Sequence, residues 1–443
     1  MSVSVAPAER LDWVRGRGTG LAIPAHAKAL FDGGAAFLER AFHAYGTLPR
    51  DNGIAAIVDL EPCHIGSTGE KLFLSIAYRT PDPRLPTKLF VKFSRHFDDP
   101  FFDRRRFELD SEIRLLGLSR DPAFPIAVPA PVFGDFDPET GTGLLITERI
   151  DFGQGGLEPL HAKCMDHLLD RPLEYYRAII RALARLAAAH QSGRLSARIA
   201  VAMPFDLAAA LTEDPIPWSG AELRSLVRDY AVFAAQCPQL LPPRLTSPAF
   251  VAMLERVVLT VRTHEASIKR YLHVDPDYIA LSHFNANIDN AWFWRDAAGE
   301  LECGLFDWQR ARPMNLGYAL WGALCGAGGD VWAGHLDELI TLFVDELAAG
   351  GGARLDPATL VFHLHLYAAT MGTAGLLAAP SVVLSRLPDA PAMVGPHDPA
   401  LLANEGARCF LHVFTSYLEL WLMHGFGDDL ERLLATRVLP TVR

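Results

Sequence analysis

The patterning of this chain changes character once, near residue 153, and that change constrains its fold more than any other feature. Before it, apolar runs rich in β-branched and aromatic residues at 54–60, 72–78, 88–93, 130–136 and 143–150 read as strands. One amphipathic helix, 103–117, falls between the third and fourth, with Phe107, Leu109, Ile113, Leu115 and Leu116 set among charges. Turn signals separate the runs: Gly66-Ser67-Thr68-Gly69, the prolines Pro81, Pro83 and Pro86, and Asp137-Pro138-Glu139-Thr140-Gly141-Thr142. Past Gly153-Gln154-Gly155-Gly156 the pattern is helical at 173–190, 205–213, 220–235, 247–271, 334–349, 357–378 and 403–440. A compact β-like insert, 290–294 and 303–306 around a turn at 296–299, interrupts it. Residues 1–23 read as a polar arm, followed by a helix at 25–42 interrupted by Gly33-Gly34. The expected class is α+β, divided into 1–50 (arm and helix), 51–150 (β-rich) and 151–443 (helical).

With 443 residues, half of them apolar and about a fifth charged, the chain has the profile of a soluble globular protein with a large core. Its net charge of −11 argues against nucleic acid as a partner, which would need a basic face. A phosphate ligand stays open, since a few local cations and a metal suffice for it. The six cysteines are scattered, without a C-x-x-C pair or zinc spacing, as expected of free thiols in a reducing compartment. The N-terminus has no basic segment followed by an apolar one. No apolar run approaches the roughly 18 residues that span a bilayer. The expectation is a cytoplasmic protein without a membrane partner; nothing points to an oligomeric state.

The residues with chemical promise cluster around the insert. Before it stands His283-Phe284-Asn285-Ala286-Asn287-Ile288-Asp289-Asn290, and after it Leu305-Phe306-Asp307-Trp308-Gln309. An acid straight after an apolar strand, at hairpin distance from a His/Asn loop, suits a metal ligand better than a turn cap. His283 reads as a structural loop histidine. Lys92 sits in the apolar strand Leu89-Phe90-Val91-Lys92-Phe93, either as a functional cation or as an edge lysine with its head in solvent. Glu112 lies on the following helix, with Glu108 one turn earlier as the alternate partner. Gly66-Ser67-Thr68-Gly69 is a hairpin turn or a set of backbone amides over phosphates. Trp292, Trp294 and Trp308 read as core.

In this order the segments resemble the aminoglycoside phosphotransferase and choline-kinase superfamily, from about residue 55 to about 325. There a loop H-G-D-x-x-x-x-N is followed by a hairpin and an apolar-apolar-D-[WF]-[EQ] segment. The Asp-Trp-Gln form looks closest to the ecdysteroid-kinase-like branch. The resemblance implies a two-lobed protein-kinase-like fold that uses ATP and Mg²⁺ on a small-molecule acceptor. It implies that Lys92 holds the phosphates and is fixed by Glu112, with Gly66, Ser67 and Gly69 covering them. Glu148 and Ile150 would lie in the hinge that meets adenine. Asn290 and Asp307 would hold Mg²⁺.

The resemblance places Asn285 where the superfamily has its catalytic Asp, and Phe284 where it has Gly. Asn cannot take a proton, although its carbonyl can orient a hydroxyl. General-base assistance is typically worth roughly 10²–10⁴-fold, while phosphoryl transfer depends mostly on positioning and electrostatics. Neither Asp275, in His273-Val274-Asp275, nor Asp289 supplies a convincing substitute. The D-L-A expected downstream is missing, which leaves Asn315 to brace the loop. The expected function is an ATP/Mg²⁺-dependent phosphotransferase on a hydroxyl with weakened base catalysis. The apolar helical part suits a lipophilic alcohol. The alternative is a nucleotide-binding pseudokinase with a regulatory or scaffold role.

Overall fold

Alternation along the N-terminal strands decides the first architecture. The computed structural model describes residues 11–63 and 69–423, and the chain divides into two units. The first holds the residues up to Gly155 together with Arg198–Met203 and Gly304–Ala311. Its elements are β1 (Trp13–Arg15), β2 (Ala22–Pro24), α1 (Ala27–Tyr45), β3 (Ile54–Pro62), β4 (Lys71–Tyr78), β5 (Lys88–Phe93), α2 (Leu109–Leu118), β6 (Pro131–Asp137) and β7 (Thr142–Glu148). β3 to β7 form one antiparallel sheet in the order β3-β4-β5-β7-β6. Leu72, Leu74, Ile76, Leu89, Val91 and Phe93 bury in one core with Phe37, Leu38, Ala41 and Phe42 of α1. Side chains two apart on a strand share a face, so Lys92, between Val91 and Phe93, belongs to the opposite face.

Three details differ from the expectations. The polar arm is in part a hairpin, β1 paired with β2, whose turn is gathered by Asp135 of β6 through the N–H groups of Gly18 and Thr19, both at 2.8 Å. A Cβ at Gly16 would stand 2.2 Å from Asp135 Oδ2, so a side chain there would displace the anchor. The helix expected at 103–117 is a short turn Pro100–Asp103, a 3₁₀ turn Arg106–Glu108 and then α2. The strand expected to reach 150 ends at Glu148, which leaves Ile150 beyond it. The expected interruption of α1 is present: Gly34 adopts φ 55° and ψ −157° inside the helix.

The second unit holds Gly156–Ala197, Pro204–Cys303 and the residues from Arg312 onward. Its longer helices are α3 (Pro172–Gln191), α4 (Gly220–Gln236), α5 (Pro248–Val274), α6 (Leu316–Leu324), α7 (Leu336–Ala349), α8 (Pro357–Met371) and α9 (Glu405–Met423). Their starts are chemically marked. Ser219 and Glu222 form a capping box on α4, and Asp356 caps α8 ahead of Pro357. Among them run β8 (Ile279–Ser282), β9 (Ala291–Arg295), β10 (Leu301–Leu305) and β11 (Arg312–Asn315), with β9 paired to β10 and β8 antiparallel to β11. The β8–β11 pair fixes where the loop 283–290 begins. Among the described residues no single helix is long and apolar enough to cross a membrane.

Candidate functional site

In the sheet unit, Lys92 is 3% exposed, which its ammonium tolerates because it lies between two carboxylates. Its Nζ is 2.8 Å from Glu112 Oε2 of α2 and 2.5 Å from Asp307 Oδ1. Burial alone would lower the lysine, but Asp307 and Glu112 overcome it and hold the ammonium well above its usual value. Burial raises Glu112 and Lys92 opposes that, so this pair exists by mutual charge. The other Glu112 oxygen accepts the backbone N–H of Trp308 at 3.2 Å. This bond locks the residue beside Asp307. Asp307 itself has φ +61°, uncommon for a residue with a side chain. Backbone strain of this kind clusters at functional sites, and it aims this carboxylate at Lys92. Glu108, the alternate partner, bonds Arg105 instead.

A lysine on the third strand of an antiparallel sheet, paired with a glutamate of the next helix and a later Asp beside it, is the phosphate-handling set of protein kinases. The sheet unit carries this set on a five-stranded antiparallel sheet and the helix that follows the lysine strand. Gly69 adopts φ +67°, and a Cβ there would stand 1.9 Å from the carbonyl oxygen of Phe93, so Gly69 itself lies tightly against the end of the lysine strand. Gly66 and Ser67 lie outside the described residues. Glu148 closes β7 opposite Leu89, and its N–H donates to Ala130 O. Ile150 follows it off the ladder, half-buried.

The sequence reading missed Lys71. It stands directly opposite Lys92 across β4 and β5. Burial first, and then the charge of Lys92, bring it down to about 8. A lysine at a strand start gives no signal of this; the signal lies in the register, which places 71 and 92 on one face.

In the helical unit the loop after β8 is held by amides. His283 is fully buried, and its Nδ1 accepts the N–H of Asn285 at 3.0 Å. Asn290 Nδ2 donates to the Asn285 backbone carbonyl at 2.8 Å, which closes the loop on itself. Asn287 Nδ2 donates to Asn285 Oδ1 at 2.5 Å. The side-chain oxygen expected to orient a hydroxyl is therefore already engaged. α6 approaches from the other side: a Cβ on Gly322 would stand 1.8 Å from Phe284 O. Asp289 is mostly buried and 3.7 Å from Lys163 Nζ. Asn315 does not brace this loop. Its amide donates to Leu272 O at 2.5 Å and pairs with His363 Nδ1 at 3.0 Å, while its oxygen caps α6 at Gly317. Trp308 is fully buried with its indole N–H on Leu305 O, and Trp292 is buried, so both belong to the core.

No family model matches the sequence, and no curated protein matches it. Among solved structures the chain is similar to a Plasmodium vivax ethanolamine kinase, at a TM-score of 0.39 and 13% identity over 84% of this chain and 83% of that one. It is similar to a choline kinase from Cryptosporidium parvum Iowa II, at 0.38 and 10% over 87% and 92%. A third is an aminoglycoside-3'-phosphotransferase of type VIII, at 0.37 and 19% over 75% and 97%. Overlaps this loose do not by themselves decide an activity.

Proposed function

We propose that the chain is an ATP- and Mg²⁺-dependent phosphotransferase of the aminoglycoside phosphotransferase and choline-kinase superfamily, acting on a hydroxyl of a small, lipophilic molecule. The observation that carries this reading is Lys92 held between Glu112 and Asp307. In it, Lys92 meets the phosphates while Glu112 keeps the lysine in place. Asp307 is the carboxylate for the metal. Mg²⁺ binds through one or two carboxylates plus substrate phosphates rather than in an all-protein cage. That requirement suits a chain in which no group of three acidic, His or Cys side chains could hold a metal among the described residues. The metal would supply charge neutralisation on the phosphates. Gly69 lies beside the end of the lysine strand, where its backbone amide would face them, and Glu148 and Ile150 offer backbone groups to the adenine edge. A cytoplasmic setting belongs to the same reading, supported by six cysteines that are all free.

Thermal shift with millimolar ATP and Mg²⁺ tests the reading: stabilisation of the native chain is expected, and its loss in Asp307→Ala. No shift in the native protein would sink it. A second reading, a pseudokinase that binds nucleotide without transfer, is favoured by Asn285, whose amide cannot accept a proton. Phosphate release from ATP separates the two.

A further inference from the structure

The loop that lacks a base has a carboxylate beside it from another part of the helical unit. Asp166 opens the 3₁₀ turn Asp166–Leu168 ahead of α3, and the Tyr176 hydroxyl of α3 donates to its Oδ2. Gly326, just past α6, faces both this carboxylate and the loop. A Cβ built there would lie 3.7 Å from Asp166 Oδ2 and 3.1 Å from Asn287 Oδ1. The glycine therefore puts no side chain between them. Asn287 in turn donates its Nδ2 to Asn285 Oδ1 at 2.5 Å. Asp166 and Asn287 thus both border the space at Gly326, and Asn287 carries the contact on to Asn285. The other acids are committed elsewhere. Asp275 accepts the N–H of Asp277 in its own turn, and Asp289 sits beside Lys163.

Resting on the phosphotransferase reading, we propose that Asp166 is the proton acceptor for the attacking hydroxyl, replacing the carboxylate that Asn285 lacks. In the step, the acceptor oxygen forms a bond to the γ-phosphorus, and the bond from that phosphorus to the β–γ bridging oxygen breaks. The electron pair leaves with ADP, and the hydroxyl proton passes to the Asp166 carboxylate. The surroundings suit this. Burial raises Asp166 first, the Tyr176 hydrogen bond opposes that, and the nearby Asp289 raises it further, to about 7. The Cys325 thiol also faces it, itself pushed up to about 12 by burial, so it stays neutral. A base whose pKa lies near the working pH accepts and returns protons most effectively.

The experiment uses the full chain with ATP, Mg²⁺ and water as acceptor, reading phosphate release from pH 5 to 9. The expected wild-type rate climbs through an apparent pKa near 7. Asp166→Asn is expected to lower it by about 10²-fold and to flatten the climb, with the ATP-induced thermal shift unchanged. Adding Asn285→Asp to Asp166→Asn is expected to restore turnover, because a carboxylate returns at the loop. An Asp166→Asn variant with native rate and profile overturns the proposal. So does a lost rate that Asn285→Asp fails to restore, which would mark Asp166 as a structural support, and so does a wild type that binds ATP but releases no phosphate. A wild type without any ATP shift instead sinks the nucleotide reading beneath it.

Discussion

The sheet unit and the loop of the helical unit have kept different kinds of chemistry. Around Lys92 the groups are ionic, two carboxylates on one buried ammonium. Around Asn285 the groups are neutral amides: Asn287 donates to the Asn285 side chain and Asn290 to the Asn285 backbone carbonyl. The difference matters because the two sets depend on folding in different ways. Removing one member of a buried ion pair strands the other, so stability alone can preserve Lys92 and Glu112 whether or not nucleotide is used. Neutral amides, half-buried at Asn285 and Asn287 and buried at Asn290, strand no charge when one of them is changed. Their identity reports on chemistry more directly than the ions do.

Breaking the ionic side should produce the largest effect. Lys92→Met leaves Glu112 buried without a counter-charge, and a loss of about 3–5 kcal/mol is expected from urea unfolding. Lys92→Met with Glu112→Gln should recover part of it, since the stranded charge is gone. Asp307→Asn should cost less than Lys92→Met, because the Asp307 side chain is 35% exposed and water compensates it. A Lys92→Met protein as stable as the native one would show that the pair is not held by folding, and would end the contrast.

The second effect falls on the loop's support. The Gly322 Cβ would meet the carbonyl oxygen of Phe284 at 1.8 Å and its carbon at 2.5 Å, both backbone atoms. Gly322→Ala must therefore push α6 and the loop apart, and overpacking of this kind costs about 1–3 kcal/mol. The upper end is expected, together with loss of phosphate release. Native stability in Gly322→Ala would mean the loop yields freely and that its geometry is not set by α6.

The third concerns the charge beside the amides. Asp166 rises from 3.8 to about 7 in the folded protein, so the native state holds this proton more tightly than the unfolded chain. Its contribution to stability is fully present below about pH 4 and is lost as the pH rises through about 7. Asn at 166 is neutral throughout and still accepts from Tyr176. The advantage of Asp166→Asn over the native protein should grow between pH 5 and pH 8 by on the order of 2–3 kcal/mol. Equal melting temperatures at both pH values would show that Asp166 is not held at a cost, and would weaken its assignment as a base.

How much of this was legible in sequence follows from the range of the interactions. The five strands were readable because each rests on local alternation, whereas the Lys92–Glu112 pair was expected only because the resemblance implied it. The hairpin 13–24 was not, since its turn is gathered by Asp135, 117 residues from Gly18. β8 and β11 are four residues each, too short for a period, and every residue of α6 is buried, which erases the amphipathic pattern a helix is recognised by. At the site, Asn285 was visible as the departure, but its bond to Asn287 and the nearness of Asp166 were not. Those depend on Gly326, where three separated segments meet.

The smallest expected effect on stability sharpens the comparison most. Asn285→Asp places a carboxylate where Asn287 Nδ2 already donates at 2.5 Å, and the backbone bond from Asn290 does not depend on the side chain. The loop can accept the charge without rebuilding, so stability should change by less than about 1 kcal/mol in urea. The same donor favours the ionised form, which makes the new carboxylate a weaker base than an unbonded one. Phosphate release should still rise, by up to about 10-fold if Asp166 already shares the work and by more if it does not. A stability loss as large as that of Lys92→Met would mean that the loop, like the sheet unit, is held by its charge state. The amides would then be a folding requirement and not the mark of altered chemistry.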